Sequence, residues 1–215
     1  MAMKFLITAG PTREPIDPVR YISNRSSGKM GYAIAEAALD AGHEVTLISG
    51  PVALPAPPRA QIVRVTTADE MYDAVHAHLT NIDIAVLCAA VADFKPAEFT
   101  PRKIKKNEGI PAIELVPTRD ILASLGALRE KKFLLAGFAA ETENLAQNAR
   151  TKLEKKRCDV VIGNDVSAPG LGFESDENAL TIFLPDHSSR VLPRASKRNL
   201  AKALVKILCE MQQNC

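Results

Sequence analysis

The sequence has no excess of either charge: 27 lysines and arginines face 25 aspartates and glutamates, a formal net charge of +2 with the four histidines neutral. That balance excludes a nucleic-acid arm and leaves a strongly charged partner to local clusters. Long apolar runs are missing too. The longest, Ile84 to Ala92, has nine residues, against the ~20 that a membrane-spanning helix needs, so neither a nucleic acid nor a membrane is expected as a partner. Met3-Lys4 leads straight into Phe5-Leu6-Ile7 with no charged n-region or small-residue cleavage site, which makes a cytoplasmic chain the expectation. Cys88, Cys158, Cys209 and Cys215 form no Cys-x-x-Cys pair and lie far from any histidine cluster. A disulfide framework, a zinc site and a redox motif are thereby disfavoured, and the thiols read as buried or incidental. There is no internal repeat, low-complexity tract or linker. With 47% hydrophobic and 24% charged residues, the 215 residues read as one globular domain able to bury a full core.

What is present is an alternation of strand and helix patterns. Lys4 to Thr8 is an apolar run stopped by Ala9-Gly10-Pro11-Thr12, followed by a long polar loop to Ser27. From Gly28 to Ala41 the positions Met30, Ile34, Ala37, Ala38 and Ala41 recur at three and four, a helix ended by Gly42. With a strand over His43 to Ser49, the opening is a right-handed β-α-β crossover. A strand over Ile62 to Val65, a helix opened by the capping box Thr67-x-x-Glu70 and an apolar strand over Ile84 to Ala89 continue it. Then come a helix over Thr118 to Leu128, a strand over Phe133 to Phe138, a helix over Thr142 to Lys156 and a strand over Val160 to Gly163. The fold class is α/β: a doubly wound, mainly parallel, Rossmann-like sheet. Pro185-Asp186-His187, between Asn178 to Leu184 and Ser188 to Leu192, predicts a C-terminal β-hairpin, and a last helix runs from about Ser196 to Met211.

Candidate chemistry is spread along this frame. Asp93 to Gly109 carries five cationic residues and two prolines with no clear period. It leaves the carboxyl end of a central strand, as a lid or binding loop would. Lys103, Lys105 and Lys106 there suit a polyphosphate, or form a solvated charge run. Ser26-Ser27-Gly28-Lys29-Met30-Gly31 offers a helix N-terminus to an anion, yet lacks the first glycine and the hydroxyl of a Walker loop. Gly10-Pro11-Thr12 does not supply the Gly-x-Gly-x-x-Gly of nicotinamide enzymes. Thr118-Arg119-Asp120 opens a helix whose first amides could receive a phosphate, with capping by Thr118 as the structural alternative. Lys152 and Lys156 share a helix face. The histidines are scattered, so no nucleophilic triad can be nominated.

Seven blocks occur in the order found in bacterial phosphopantothenoylcysteine synthetase, and the sequence resembles that family over essentially its whole length. They are Ser23 to Gly31 (SNRSSGKMG), Val45 to Pro51 (VTLISGP), Ala89 to Phe94 (AAVADF), Lys103 to Lys106 (KIKK), Gly137 to Thr142 (GFAAET), Asn164 to Ser167 (NDVS) and Phe173-x-Ser-Asp176-x-Asn178-Ala179. The chain looks like the stand-alone form, without the flavin-dependent decarboxylase half usually fused upstream.

The resemblance implies a ligase of coenzyme A biosynthesis that joins 4′-phosphopantothenate to L-cysteine through an acyl-cytidylate made from CTP, with Mg²⁺ and no flavin. It implies a homodimer, and the late hairpin is the expected added interface element. By motif position, Ala89, Ala90, Asp93, Lys103, Arg119, Asp120, Ile121, Leu122, Phe138, Lys152 and Lys156 correspond to the CTP site, with Lys103 also catalytic on a mobile loop. Asn24 corresponds to the catalytic asparagine that acts on the acyl-cytidylate. The metal ligands stay unassigned. Other classes make different demands: a nicotinamide reductase needs the missing glycine fingerprint, a flavoprotein decarboxylase a catalytic histidine, and a nucleotide-binding regulator would bind CTP without releasing pyrophosphate.

Overall fold

The computed structural model describes residues 1–105, 112–141, 143–165 and 175–213, with the backbone alone at 165. Lys106 to Gly109 of the expected lid, Thr142 of the expected helix, Val166, Ser167 and Phe173 of the quoted blocks, and Cys215 lie outside these residues.

Apolar segments bounded by turn residues form the sheet. Its strands are β1 (Lys4–Ala9), β4 (Glu44–Ser49), β5 (Gln61–Arg64), β6 (Ile84–Leu87), β9 (Leu134–Glu141), β10 (Val160–Asp165), β11 (Glu177–Phe183) and β12 (Ser189–Ser196). Their order is β12-β11-β10-β9-β6-β1-β4-β5. All pairings from β10 to β5 are parallel, and β11 and β12 add an antiparallel hairpin. The chain winds outward in both directions from β1 and β6, so the sheet has a switch point between those two strands.

Each face of the sheet is covered. Helices α1 (Lys29–Asp40) and α5 (Lys197–Gln213) pack on one side against Phe5, Ile7, Leu47, Val86 and Ile162. On the other side lie α2 (Ala68–Ala77), α3 (Ile121–Gly126) and α4 (Leu145–Lys155), against Leu6, Ile48, Ala85, Leu135 and Val161. Adjacent strand residues enter opposite cores because side chains alternate along a strand. The Thr67–Glu70 capping box closes the start of α2. α1 can approach β1 closely because Gly31 has no side chain: a Cβ there would lie 2.6 Å from the Ala9 Cβ.

Two segments expected as loops are ribbons. Within the polar stretch before α1, β2 (Arg13–Pro15) pairs with β3 (Tyr21–Ser23). In the expected lid, β7 (Phe94–Pro96) pairs with β8 (Leu115–Pro117). Prolines and short runs hid both from periodicity. Thr100 N–H donates to the Ile16 carbonyl (3.0 Å), tying the second ribbon to the first. No helix among the described residues is long and apolar enough to cross a membrane.

Candidate active site

The site lies beyond the carboxyl ends of β1, β6, β9 and β10, at the switch point. Past β6 the chain does not leave the sheet at once. Ala89 N–H donates to Thr8 Oγ1 (3.1 Å), Ala90 N–H to the Gly10 carbonyl (2.9 Å) and Ala92 N–H to Thr12 Oγ1 (3.0 Å). Residues 89–92 therefore run beside 10–12, and the methyl side chains of Ala89 and Ala90 leave their backbone open to the crevice. The Thr118 hydroxyl donates to the Ala92 carbonyl (2.6 Å), which docks the turn before α3 on the same strand end. The crevice so formed holds about 500 Å³.

One wall comes from α3 and α4. Lys152 Nζ donates to the Phe138 carbonyl (2.7 Å), and burial depresses its pKa. Lys156 forms an ion pair with Asp120. Asp120 in turn accepts from Ala123 N–H (2.8 Å), capping α3. Burial works to raise the Asp120 pKa, but the bonds from Lys156 and Ala123 hold it below the usual carboxylate range. The helix expected over Thr118 to Leu128 is thus the six-residue Ile121–Gly126, with Asp120 and not Thr118 at its cap. The Asp120 carboxylate takes the Ala123 N–H and sets a negative charge at this helix start, which opposes a phosphate there.

Arg119 lines the crevice but spends its guanidinium elsewhere. Nε reaches Asp69 (2.9 Å), another nitrogen reaches Asp73 (2.7 Å), and the group lies 4.0 Å from the centre of the Tyr72 ring. Asp69 also pairs with Lys95 of β7. Arg119 therefore fastens the α3 turn to α2.

The crevice brings together Ala89, Ala90, Asp93, Arg119, Asp120, Ile121, Leu122, Phe138, Lys152 and Lys156. Asn24 and Lys103 are outside its lining. The Asn24 side-chain amide donates to the carbonyl of Ala90 (3.0 Å), a residue of that lining. Lys103 is exposed between β7 and β8, on the arm that the two ribbons form, where its neighbour Ile104 is held at both backbone groups: its N–H donates to Asp17 (3.2 Å) and its carbonyl accepts from Arg20 (2.9 Å). Up to this point the segment expected to be a mobile lid is anchored.

The opposite wall carries the helix start at Gly28 and Lys29 that the sequence offered to an anion, and with it residues that had no assigned role. Gly28 starts α1 in the left-handed region (φ 78°) with no side-chain cap. Lys29, Cys88, Asn164, Asn178 and Lys197 line this side. Asn164 and Asn178 stand in the quoted blocks, which was the available signal. Lys197 had none, because a lysine at a helix start reads as surface.

Two histidine pairs are structural. Met3 N–H donates to His43 Nδ1 (3.1 Å), leaving the proton of the neutral ring on Nε2, 3.3 Å from the Cys209 sulfur. Burial raises the pKa of that thiol, so it is not activated. Ser124 donates to the Ile121 carbonyl (2.7 Å), which leaves its oxygen as acceptor for His76.

A crevice at the switch point of a doubly wound sheet, with lysines on one wall and a helix start without a side-chain cap on the other, has the position and charge at which open α/β sheets receive anionic ligands. Comparison with known proteins narrows the class. Residues 1–211 match the family described as DNA/pantothenate metabolism flavoprotein C-terminal domain. The chain is 50% identical to the coenzyme A biosynthesis bifunctional protein CoaBC of Vibrio vulnificus (strain YJ016), over 94% of its own length and 50% of that protein's. The CoaBC of Escherichia coli (strain K12) shows the same identity and coverage. The crystal structure of the C-terminal domain of a CoaBC superposes with a TM-score of 0.85 at 40% identity, covering 99% of this chain and 97% of that one. The chain belongs to this C-terminal domain family. It spans about half the length of the curated relatives it matches.

Proposed function

We propose that the crevice joins 4′-phosphopantothenate to L-cysteine in coenzyme A biosynthesis, with CTP converted to CMP and pyrophosphate. The observation that carries this reading is the whole-length likeness to the CoaBC C-terminal domain. The lysine-bearing crevice at the strand ends supports it.

A carboxylate is a poor acyl electrophile, so it must be activated. A carboxylate oxygen of phosphopantothenate attacks the α-phosphorus of CTP as the bond to the β-phosphate bridging oxygen breaks and pyrophosphate leaves. The cysteine amine then attacks the acyl carbon, the C–O bond to CMP breaks, and the nitrogen gives up its extra proton to solvent. No electrons change hands, so the reading needs no flavin. Catalysis is mostly positioning and charge stabilisation. Lys152 and Lys156 offer cations to the phosphates, Lys156 exchanging Asp120 for one. The backbone of Ala89 and Ala90, the turn at Arg119 to Leu122 and the Phe138 edge shape the nucleotide seat. Lys103 reaches the triphosphate from the arm, and Asn24 orients the acyl group.

Mg²⁺ fits the donor set as a guest of the nucleotide. No three His, Cys, Asp or Glu side chains cluster among the described residues, and Mg²⁺ commonly binds through one or two carboxylates with substrate phosphates and water. Asp93, exposed at the crevice mouth, is the carboxylate that would hold it. When bound, the ion neutralises triphosphate charge.

The reading places the enzyme in the cytoplasm as a homodimer. Val19, Tyr21, Phe94, Phe99, Ile113 and Leu115 are exposed on or beside the two ribbons, whereas Val191 is the large exposed apolar residue of the late hairpin among the described residues. The ribbons, rather than the hairpin, are therefore the proposed interface.

Protein supplied with phosphopantothenate, Mg²⁺ and CTP should release pyrophosphate, then yield CMP and the cysteine amide once cysteine is added. Absence of turnover with any nucleotide removes the reading. Asn24→Asp should accumulate the acyl-cytidylate by mass spectrometry, and Lys103→Gln should slow its formation.

A further inference from the structure

The proposed nucleotide seat draws its charged groups from the α3/α4 wall and gives no role to the polar groups of the α1/α5 wall. That wall has an unusual polar content for a buried surface. Asn164, at the end of β10, is 8% exposed and Asn178, at the start of β11, 1%. Lys197, first residue of α5, is 6% exposed. All three line the crevice, together with Lys29 and the uncapped first turn of α1. Lys29 makes an ion pair with Asp176 (2.7 Å).

Asn164 Oδ1 is buried and accepts no hydrogen bond. A buried acceptor without a donor is costly, by about 1–3 kcal/mol, and in a residue that lines the crevice it marks a place for a ligand donor. A phosphate monoester, mostly a dianion at neutral pH, fills that role poorly, because its oxygens would face another oxygen. The cations and helix amides beside it favour an anion. One compact ligand with both groups on a single carbon is an α-amino acid.

We infer that the α1/α5 wall is the seat of the amino-acid substrate, with Lys197 and the first turn of α1 receiving the α-carboxylate of L-cysteine and Asn164 Oδ1 accepting from its α-amine. The inference rests on the proposed ligase reading for the identity of the amino acid. An amine held by one N–H on Asn164 keeps its lone pair free to point toward the acyl group on the opposite wall. Neutral Cys88, whose pKa burial pushes up to about 12, adds a polarisable surface beside Lys197 for the substrate CH₂SH. Burial and the nearby Lys29 ammonium depress the Lys197 pKa, a penalty that a bound carboxylate would offset.

The test compares L-cysteine with cysteamine, which has the amine and thiol but no carboxylate. The unaltered protein should prefer cysteine in kcat/KM. Lys197→Met should lower cysteine use by about tenfold or more, the loss of one charge-assisted bond, while cysteamine use changes far less, and Lys197→Arg should restore part of the preference. Asn164→Leu should raise KM for both amines; because Oδ1 has no partner in the fold, this variant carries the test if Lys197→Met folds poorly. Equal losses for both amines in Lys197→Met overturn the assignment. So does a fall in amine-independent pyrophosphate release with the preference intact, which would give this wall to the phosphopantothenate phosphate or the nucleotide. If the unaltered protein releases no pyrophosphate, the ligase reading fails separately. Calorimetric titration then decides the seat: binding of L-cysteine over cysteamine that Lys197→Met abolishes supports it, and no such preference overturns it.

Discussion

Asp17 sets the position of Lys103 without touching it. Its side chain is fully buried and accepts from Arg20 Nε (2.9 Å) and from the backbone N–H groups of Val19 (2.8 Å), Arg20 (2.8 Å) and Ile104 (3.2 Å). The Arg20 guanidinium, ahead of these N–H groups and against burial, holds its pKa well below the usual carboxylate range. A depressed folded-state pKa means the stabilisation is complete above the unfolded value of about 3.9 and is lost as pH falls through the lower folded one. After correction for intrinsic rates, amide exchange at Ile104 should be steady from neutral pH to about 4 and accelerate only below. Asp17→Asn should raise it by about tenfold or more at neutral pH. Lys152 makes a different kind of claim. Lys152→Met should weaken CTP binding by about tenfold or more in a calorimetric titration, since a desolvated ammonium gains strongly from a phosphate. Unchanged affinity would show that Lys152 serves only the Phe138 carbonyl. The four-residue spacing of Lys152 and Lys156 was legible in sequence. Their partners were not, because Phe138 and Asp120 arrive from other segments. Arg119 was legible as a charge, but its direction toward Asp69 and Asp73 depended on the docking of α2.

Long elements were readable and short ones were not. α1, α2, α5 and the central strands carry enough periodic apolar residues for their type to be plain. The ribbons β2–β3 and β7–β8 have three residues per strand, too few for a period, and contain Pro15, Pro96 and Pro117. Their pairing is set by contacts between distant segments. α1 depends on a close approach to β1 that only glycine allows. Gly31→Ala would bring a Cβ within 2.6 Å of the Ala9 Cβ and 3.1 Å of the Thr8 carbonyl oxygen. Both are core or backbone atoms with no room to yield, so the substitution should cost about 1–3 kcal/mol in denaturant unfolding. Because Thr8 also receives Ala89 N–H, it should weaken nucleotide binding as well.

At the scale of the molecule, the two ribbons form an arm that projects apolar side chains into solvent. Phe94 is 54% exposed and Phe99 52%, an expensive arrangement for a lone chain. The Phe94→Glu, Phe99→Glu double variant should shift sedimentation from dimer to monomer while the far-ultraviolet circular dichroism stays the same. A dimer that survives would move the interface elsewhere. The sequence by itself determined the winding of the sheet, the closing hairpin, the capping box of α2 and the family, because these rest on local periodicity, turn chemistry and ordered motifs. The tertiary structure alone decided which charges are spent on the fold and which face the crevice: Arg119 on α2, Lys156 on Asp120, Asp17 on the Lys103 arm, and Asn164 and Lys197 buried together on the far wall. Those outcomes depend on which segments the sheet brings side by side, and a side chain's partner across such a contact leaves no trace in its own neighbourhood of the sequence.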